Sequence, residues 1–116
     1  MIGLPSSVRI FLSPEPCDMR KGPDGLSAEV RRLGGDPFSG HLYVFASRRR
    51  DRIKILAWER GGFVVWYKRL ERGRFPVPRG VGATVSLDAG ELALLLDGVD
   101  LRSVRRPARW EPARAA

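Results

Sequence analysis

Reactive and metal-binding side chains are scarce in this chain of 116 residues. It contains one cysteine, Cys17, and one histidine, His41. A single cysteine excludes an internal disulfide and any zinc cage built from several cysteines, which fits a reducing cytoplasm. We therefore expect Cys17 to be a small residue in the loop before the first helix, and His41 to have a structural role.

Long apolar runs are also missing. No stretch approaches the roughly 20 apolar residues of a membrane helix, and residues 1–13 alternate and break at proline instead of forming a signal-peptide core. The sequence thus predicts a soluble cytoplasmic protein without a membrane partner. With 43% hydrophobic residues, the chain can fill one core but not two of ordinary size. We expect a single domain over residues 1–101, followed by an extended or disordered, basic and proline-containing tail over residues 102–116.

Motifs for catalysis are absent as well. The sequence has no HxxxH, no CxxC, no glycine-rich phosphate loop followed by Lys-Ser/Thr, and no serine with a candidate base nearby. Asp18, Asp24 and Asp36 are scattered over a loop and a helix start, whereas a two-metal nuclease site needs several acids brought together. We expect a protein that is not an enzyme and that uses no metal, cofactor or small-molecule substrate.

Positive charge is what the chain has in excess, and it is confined to a third of the sequence. The net charge is +8, and residues 48–79 hold eleven of the 21 Lys and Arg residues against three acids. Residues 1–47 and 80–116 each carry five basic and five acidic residues. The whole excess therefore lies in residues 48–79. Such a concentration indicates a surface for a polyanion, and nucleic acid is the first partner to consider.

Hydrophobic periodicity predicts an α+β domain with two helices. Alternation over residues 8–12 indicates a first strand, which Pro14 and Pro16 should end. A helix beginning at residue 23 or 24 carries one apolar stripe and closes at Gly34-Gly35.

A second helix follows a short edge strand over residues 83–87. Asp88 can cap this helix with Glu91 as its capping-box partner, and Gly98 should end it.

Three strand-like runs lie between the helices, over residues 41–47, 52–58 and 63–70. Each is rich in β-branched or aromatic residues. Turns at residues 48–51 and at Gly61-Gly62 should join the three runs into an antiparallel meander.

The two faces of this meander differ. With Arg60 paired to Phe63 and a two-residue turn at Arg50-Asp51, one face is cationic and aromatic and the other is mostly aliphatic. The first face holds Tyr43, Phe45, Ser47, Lys54, Leu56, Trp58, Val65, Tyr67 and Arg69, and the second holds Leu42, Val44, Ala46, Ile53, Ile55, Ala57, Val64 and Trp66. We expect both helices to pack on the aliphatic face.

The mixed face has two interpretations. An open face of aromatic and basic residues can stack bases and bind phosphates, whereas aromatic residues in so short a chain can equally belong to the core, with lysines reaching out at the strand ends. The arginine-rich turn at 48–52 suits phosphate oxygens or a base edge, the alternative being a solvated charge run. The candidate nucleic-acid-binding residues are Arg48, Arg49, Arg50, Arg52, Lys54, Trp58, Tyr67, Lys68, Arg69, Arg72 and Arg74.

Several strings resemble one known family, the small accessory proteins, often called TnpB, of the insertion-sequence family numbered sixty-six. These proteins are distinct from the RNA-guided nucleases of the same name. The strings are Asp18-Met19-Arg20-Lys21-Gly22, Asp24-Gly25-Leu26, Asp36-Pro37-Phe38-Ser39-Gly40-His41-Leu42, Arg48-Arg49, Asp51-Arg52-Ile53-Lys54 and Lys68-Arg69-Leu70-Glu71-Arg72-Gly73-Arg74-Phe75. Arg50 stands where the family commonly has glycine.

The resemblance implies a factor that is encoded beside a DDE transposase and a second small accessory protein and that assists transposition. It brings no active site. We therefore expect a non-catalytic accessory protein of the mobile element that binds DNA, such as the element ends, through the basic hairpin region. The alternative is a protein-interaction subunit that docks an acidic surface of the transposase without binding DNA directly.

Overall fold

Five strands form one mixed sheet with a helix on each face. The computed structural model describes residue 5 and residues 7–99, so the predicted tail lies outside the described residues. In chain order the elements are β1 (Ile10–Pro16), α1 (Pro23–Arg32), β2 (Leu42–Ala46), β3 (Arg52–Glu59), β4 (Gly62–Arg69), β5 (Val85–Leu87) and α2 (Ala89–Leu96). The α+β class is confirmed. Among the described residues, neither helix is long and apolar enough to span a bilayer.

The strand order across the sheet is β4-β3-β2-β1-β5. Strands β2, β3 and β4 form the predicted antiparallel meander, and β5 pairs antiparallel with β1. The predicted antiparallel meander describes only part of the sheet, because β1 and β2 run parallel. Two neighbouring parallel strands need a long crossover connection, and α1 provides it.

Strand β1 continues through the two prolines that were expected to end it. It reaches Pro16, with a change of register between Leu12 and Pro16. The short β5 pairs only with residues 10–12, so Pro14 and Pro16 lie where β1 is an edge strand on that side. An edge strand tolerates proline because its outward N–H groups need no ladder partner.

The turn between β3 and β4 is one residue earlier than predicted. Its central residues are Arg60 and Gly61, both with positive φ (47° and 81°), and Trp58 pairs with Phe63. The observed pairing therefore differs from the expected one by two residues. Because side chains alternate with a period of two, this shift leaves every side chain on its predicted face.

The helices pack on opposite faces, so the expectation that both lie on the aliphatic face was wrong. On that face Leu92 and Leu95 of α2 join the larger core cluster. On the mixed face Leu26 and Val30 of α1 cover Tyr43 and its buried neighbours Phe45 and Leu56. The mixed face is apolar enough over β2 to accept a helix, and the crossover between β1 and β2 places α1 there.

Local capping follows the sequence signals. Asp88 accepts a hydrogen bond from the backbone N–H of Glu91 at 2.7 Å, and the Glu91 carboxylate accepts one from the backbone N–H of Asp88 at 3.0 Å. This confirms the predicted capping box. His41 accepts a hydrogen bond at Nδ1 from the backbone N–H of Arg9 at 3.0 Å, which holds the start of β1 against the start of β2.

Candidate nucleic-acid interface

The topology collects the basic segments at one end of the sheet. Since β1 and β2 are parallel and β3 and β4 alternate with them, the segments after β1, β2 and β4 leave the sheet at the same end. These segments are residues 17–22, 47–52 and 69–79, and we call this the basic end. The turn at residues 60–61 lies at the opposite end, about 23 Å away along the eight residues of β3.

Three arginines of the 47–52 turn carry uncompensated charge. Arg48, Arg49 and Arg52 are exposed, and within the part of the chain that the structure describes none of them forms an ion pair. The nearby Asp51 carboxylate instead accepts a hydrogen bond from the Ser47 hydroxyl at 3.1 Å. The turn therefore presents three guanidinium groups to solvent.

A cleft of about 410 Å³ opens between this turn and the loop after β1. Its walls are residues 17–20 on one side and residues 47–49, 51 and 52 on the other. Cys17 lies in the wall, and burial raises the pKa of its thiol to about 11. A thiol with such a pKa is almost entirely protonated at neutral pH and is a poor nucleophile, as its expected structural role requires.

The segment after β4 returns along the turn and adds further arginines. The backbone N–H of Leu70 donates to the Asp51 carbonyl at 2.7 Å, and that of Phe75 donates to the Arg50 carbonyl at 2.6 Å. Phe75 is buried in the core, which fixes the segment in place. Arg72 and Arg74 are exposed beside the turn.

Arg69, at the end of β4, is exposed and pairs with Glu71, whose carboxylate oxygen lies 3.0 Å from Nη2. Its charge is therefore partly compensated at the surface.

Three of the sequence-predicted candidates are engaged by backbone carbonyls. Arg50 donates from Nη1 to Val77 at 3.0 Å, Lys54 donates from Nζ to Lys21 at 2.9 Å, and Lys68 donates from Nζ to Leu96 at 2.9 Å. For two of them the sequence indicated an unusual position, but not the carbonyl partner. Arg50 replaces a common glycine and has a φ of 59°, while Lys68 shares the parity of the aliphatic face and so reaches the end of α2.

The aromatic residues of the mixed face do not form one continuous platform. Tyr43 and Phe45 are buried under α1, and Tyr67 is 47% exposed, with the Lys54 ammonium 5.7 Å from its ring centroid. Trp58 lies about 13 Å from the Tyr67 position along the sheet, four residues of strand away. The mixed face is therefore covered by α1 over β2 and exposed to solvent at Tyr67 of β4.

Trp58 belongs to a small aromatic cluster at the end opposite the basic end. Its ring contacts Phe38 edge-on at 5.0 Å between centroids and Phe63 at 4.9 Å. The Arg31 guanidinium lies 5.9 Å from the Phe38 centroid. We call Phe38, Trp58 and Phe63 the aromatic corner. Phe38 was missed because the loop at 36–40 reaches the hairpin only in three dimensions, and Phe63 was missed because the predicted register paired it with Arg60 instead of Trp58.

Two basic residues around α1, Lys21 and Arg32, are neutralised, in contrast to those of the turn. Lys21 pairs with Glu29 at 2.6 Å, and Arg32 pairs with Glu29 at 2.8 Å and also with Glu15. These hydrogen bonds hold the pKa values of both carboxyl groups below their usual range. Over residues 5 and 7–99, no three His, Cys, Asp or Glu side chains come together in a way that could hold a metal ion.

The chain is similar to two proteins of Sinorhizobium fredii (strain NBRC 101917 / NGR234), both described as uncharacterized. One, y4jC, is 33% identical over 117 residues and covers 100% of each chain. The other, y4hO, is 32% identical over 114 residues, which are 96% of this chain and 97% of the relative. No solved structure matches the chain. The model of the IS66 Orf2-like proteins matches residues 8–106. The chain therefore belongs to the IS66 Orf2-like protein family of insertion-sequence elements.

Proposed function

We propose that this transposition-associated accessory protein binds duplex DNA through its basic end, and that it assists the DDE transposase of its element without catalysing a reaction itself. The observation that carries the proposal is the set of exposed guanidinium groups that lack a carboxylate partner within the described residues. Among the candidate residues predicted from the sequence, this set comprises Arg48, Arg49, Arg52, Arg72 and Arg74. Guanidinium groups pair with phosphate oxygens through charge-assisted and often bidentate hydrogen bonds.

The contrast between the two charge environments supports the proposal. Around α1 two basic side chains, Lys21 and Arg32, have acidic partners. At the basic end several like charges stand together on short, connected segments. Their mutual repulsion destabilises the free protein, and a polyanion relieves it while releasing its own counterions.

The candidate residues divide into two groups under this proposal. The unpaired arginines contact phosphates, with Arg69 adding a weaker contribution because Glu71 shares its charge. Arg50, Lys54 and Lys68 support the shape of the basic end and of α2 through their carbonyl contacts. A stacking role for Trp58 and Tyr67 stays a prediction. The DNA ends of the element, the transposase and the second small accessory protein are the proposed partners.

The salt dependence of DNA binding tests the proposal. Five phosphate contacts should give a slope of about −4 to −5 in a plot of log affinity against log salt, since each contact contributes about −0.9. Between 50 and 200 mM salt the affinity should then fall about 500-fold. We expect this on duplexes of unrelated sequence and without the transposase.

A matched pair of double variants locates the contact. Arg48→Glu with Arg49→Glu should weaken binding to all duplexes and make the slope shallower. Arg9→Glu with Arg60→Glu changes the net charge equally, but at the opposite end of the sheet, and should affect binding much less. A slope near zero, or no binding at low salt, would refute DNA contact. Binding to the purified transposase in that case would instead support docking to an acidic protein surface.

A further inference from the structure

Arg20 is exposed, yet its guanidinium is held by a neighbouring carboxylate. Its Nε donates to both carboxylate oxygens of Asp18 at 3.1 Å, and its Nη2 donates to Oδ2 at 2.7 Å. Asp18 Oδ1 also accepts the backbone N–H of Arg20 at 2.9 Å. The side chain of Arg20 is 91% exposed. The Asp18 contacts therefore use one edge of the guanidinium plane while the rest of the group faces solvent.

The unused edge is a two-donor fork. Asp18 occupies the edge of the guanidinium formed by Nε and Nη2. Both hydrogens of Nη1 and the second hydrogen of Nη2 make no hydrogen bond to Asp18. Two of these N–H groups point in parallel along the end of the planar group. Such a fork matches two adjacent acceptors in one plane.

The pair lies in the wall of the arginine-lined cleft. Asp18 and Arg20 line one side of it, and Arg48, Arg49 and Arg52 line the other. DNA whose phosphates contact the turn would therefore lie close to Arg20.

We propose that Arg20 reads a guanine in the major groove of DNA, with Asp18 as its positioning residue. Guanine presents O6 and N7 as adjacent acceptors in that groove, and a bidentate arginine is the commonest specific contact to them. The inference rests on the proposed DNA binding and adds a specificity determinant to the same end of the protein.

The charge of the pair favours a base over a phosphate. Asp18 and Arg20 together are neutral, and the carboxylate repels a phosphate that approaches the same fork. A guanine edge carries no net charge, so the carboxylate repels it much less than it repels a phosphate. The hydrogen bonds from Arg20 lower the pKa of the Asp18 carboxyl to about 2, so the carboxylate stays ionised at any pH suitable for DNA binding. The three arginines across the cleft suit phosphates for the opposite reason, because none of them pairs with a carboxylate within the described residues.

Selection from a library of random 20-base-pair duplexes tests this assignment. The wild-type protein should enrich a guanine at one position and prefer it over other bases by about 5-fold to 150-fold. Replacing that guanine by 7-deazaguanine, which lacks N7, should remove most of the preference.

The double variant Asp18→Ala with Arg20→Ala keeps the net charge unchanged. It should retain the affinity for random duplex and the salt slope, but lose the guanine preference and the effect of 7-deazaguanine. Asp18→Asn raises the net positive charge by one. It should bind random duplex more tightly yet discriminate less, a combination that a purely structural role would not produce. Thermal melting confirms that each variant is folded.

The outcomes separate the two proposals. Normal salt-dependent binding without an enriched guanine, or an equal preference in the double variant, overturns the role of Arg20 and leaves the phosphate contacts standing. Unchanged discrimination in Asp18→Asn overturns the positioning role of Asp18. Failure of the wild-type protein to bind any duplex at low salt refutes the DNA-binding function and this inference together.

Discussion

Replacement of Trp58 by alanine distinguishes a core residue from a DNA-stacking residue. A fully buried tryptophan costs about 3 to 5 kcal/mol when it is truncated to alanine. Trp58 is only partly buried, but it contacts Phe38 and Phe63 edge-on, and each aromatic pair contributes about 0.5 to 1.5 kcal/mol beyond area burial. We expect Trp58→Ala to lower the free energy of unfolding by about 2 to 3 kcal/mol.

Urea unfolding followed by far-ultraviolet circular dichroism measures this loss, and Tyr67→Ala provides the control. Tyr67 is 47% exposed and its described ring contact is the Lys54 ammonium, so removal of its ring should cost about 1 kcal/mol or less. DNA binding is measured on the same preparations well below the unfolding midpoint. The folded Trp58→Ala protein should bind duplex DNA like the wild type, since the aromatic corner lies opposite the basic end.

The opposite result would refute this reasoning. If Trp58→Ala unfolds at the wild-type urea concentration and loses about 1 to 3 kcal/mol of affinity for single-stranded DNA, the ring is an open stacking surface. The aromatic corner would then be part of the DNA-binding surface, and the basic end would not be the whole interface.

Three further expectations concern stability. Leu95 is fully buried on the aliphatic face, so Leu95→Ala should lower the free energy of unfolding by about 2 to 5 kcal/mol in urea titration; an unchanged value would contradict the packing of α2. Arg60 has a φ of 47° and an exposed side chain, so Arg60→Gly should raise the same quantity by about 0.5 to 1 kcal/mol. Arg50→Gly should gain less, because it also loses the hydrogen bond to Val77. The pKa of Glu29 is lowered from 4.5 in the folded state, so the unfolded chain binds this proton more tightly. The stabilisation from Glu29 is complete above pH 4.5 and is lost as the pH falls. Glu29→Gln should therefore flatten the loss of stability in acid, and a parallel curve for both proteins would contradict the ion pairs.

Local signals predicted most of the elements. The α1 stripe, the Asp88 capping box and the meander all depend on residues near one another in sequence. The assignment of side chains to faces was correct although the predicted register of both hairpins was wrong, because a shift of two residues preserves parity. The parallel pairing of β1 with β2 and the face chosen by each helix were not predictable in this way. Periodicity shows which side of a helix is apolar, but not which face of the sheet that side packs against.

The basic end shows the same division. The concentration of charge at residues 48–79 is visible in the sequence, whereas the carbonyl partners of Arg50, Lys54 and Lys68 lie 27 to 33 residues away. Backbone carbonyls carry no sequence signature, so these contacts require the fold. The Asp18 and Arg20 pair is only two residues apart, but its orientation toward the arginine turn depends on the alignment of β1 with β2.

The two hydrogen bonds between Arg50 and the segment after β4 affect the energetics of DNA binding. The backbone carbonyl of Arg50 accepts a hydrogen bond from the backbone N–H of Phe75, and the Arg50 guanidinium donates one to the Val77 carbonyl. The turn and the segment that carries Arg72 and Arg74 are therefore ordered together when the protein folds. The backbone entropy of arranging these arginines is lost at folding and not again at association. Complex formation should then show a heat-capacity change too small for coupled folding, and its rate should be set by electrostatic encounter.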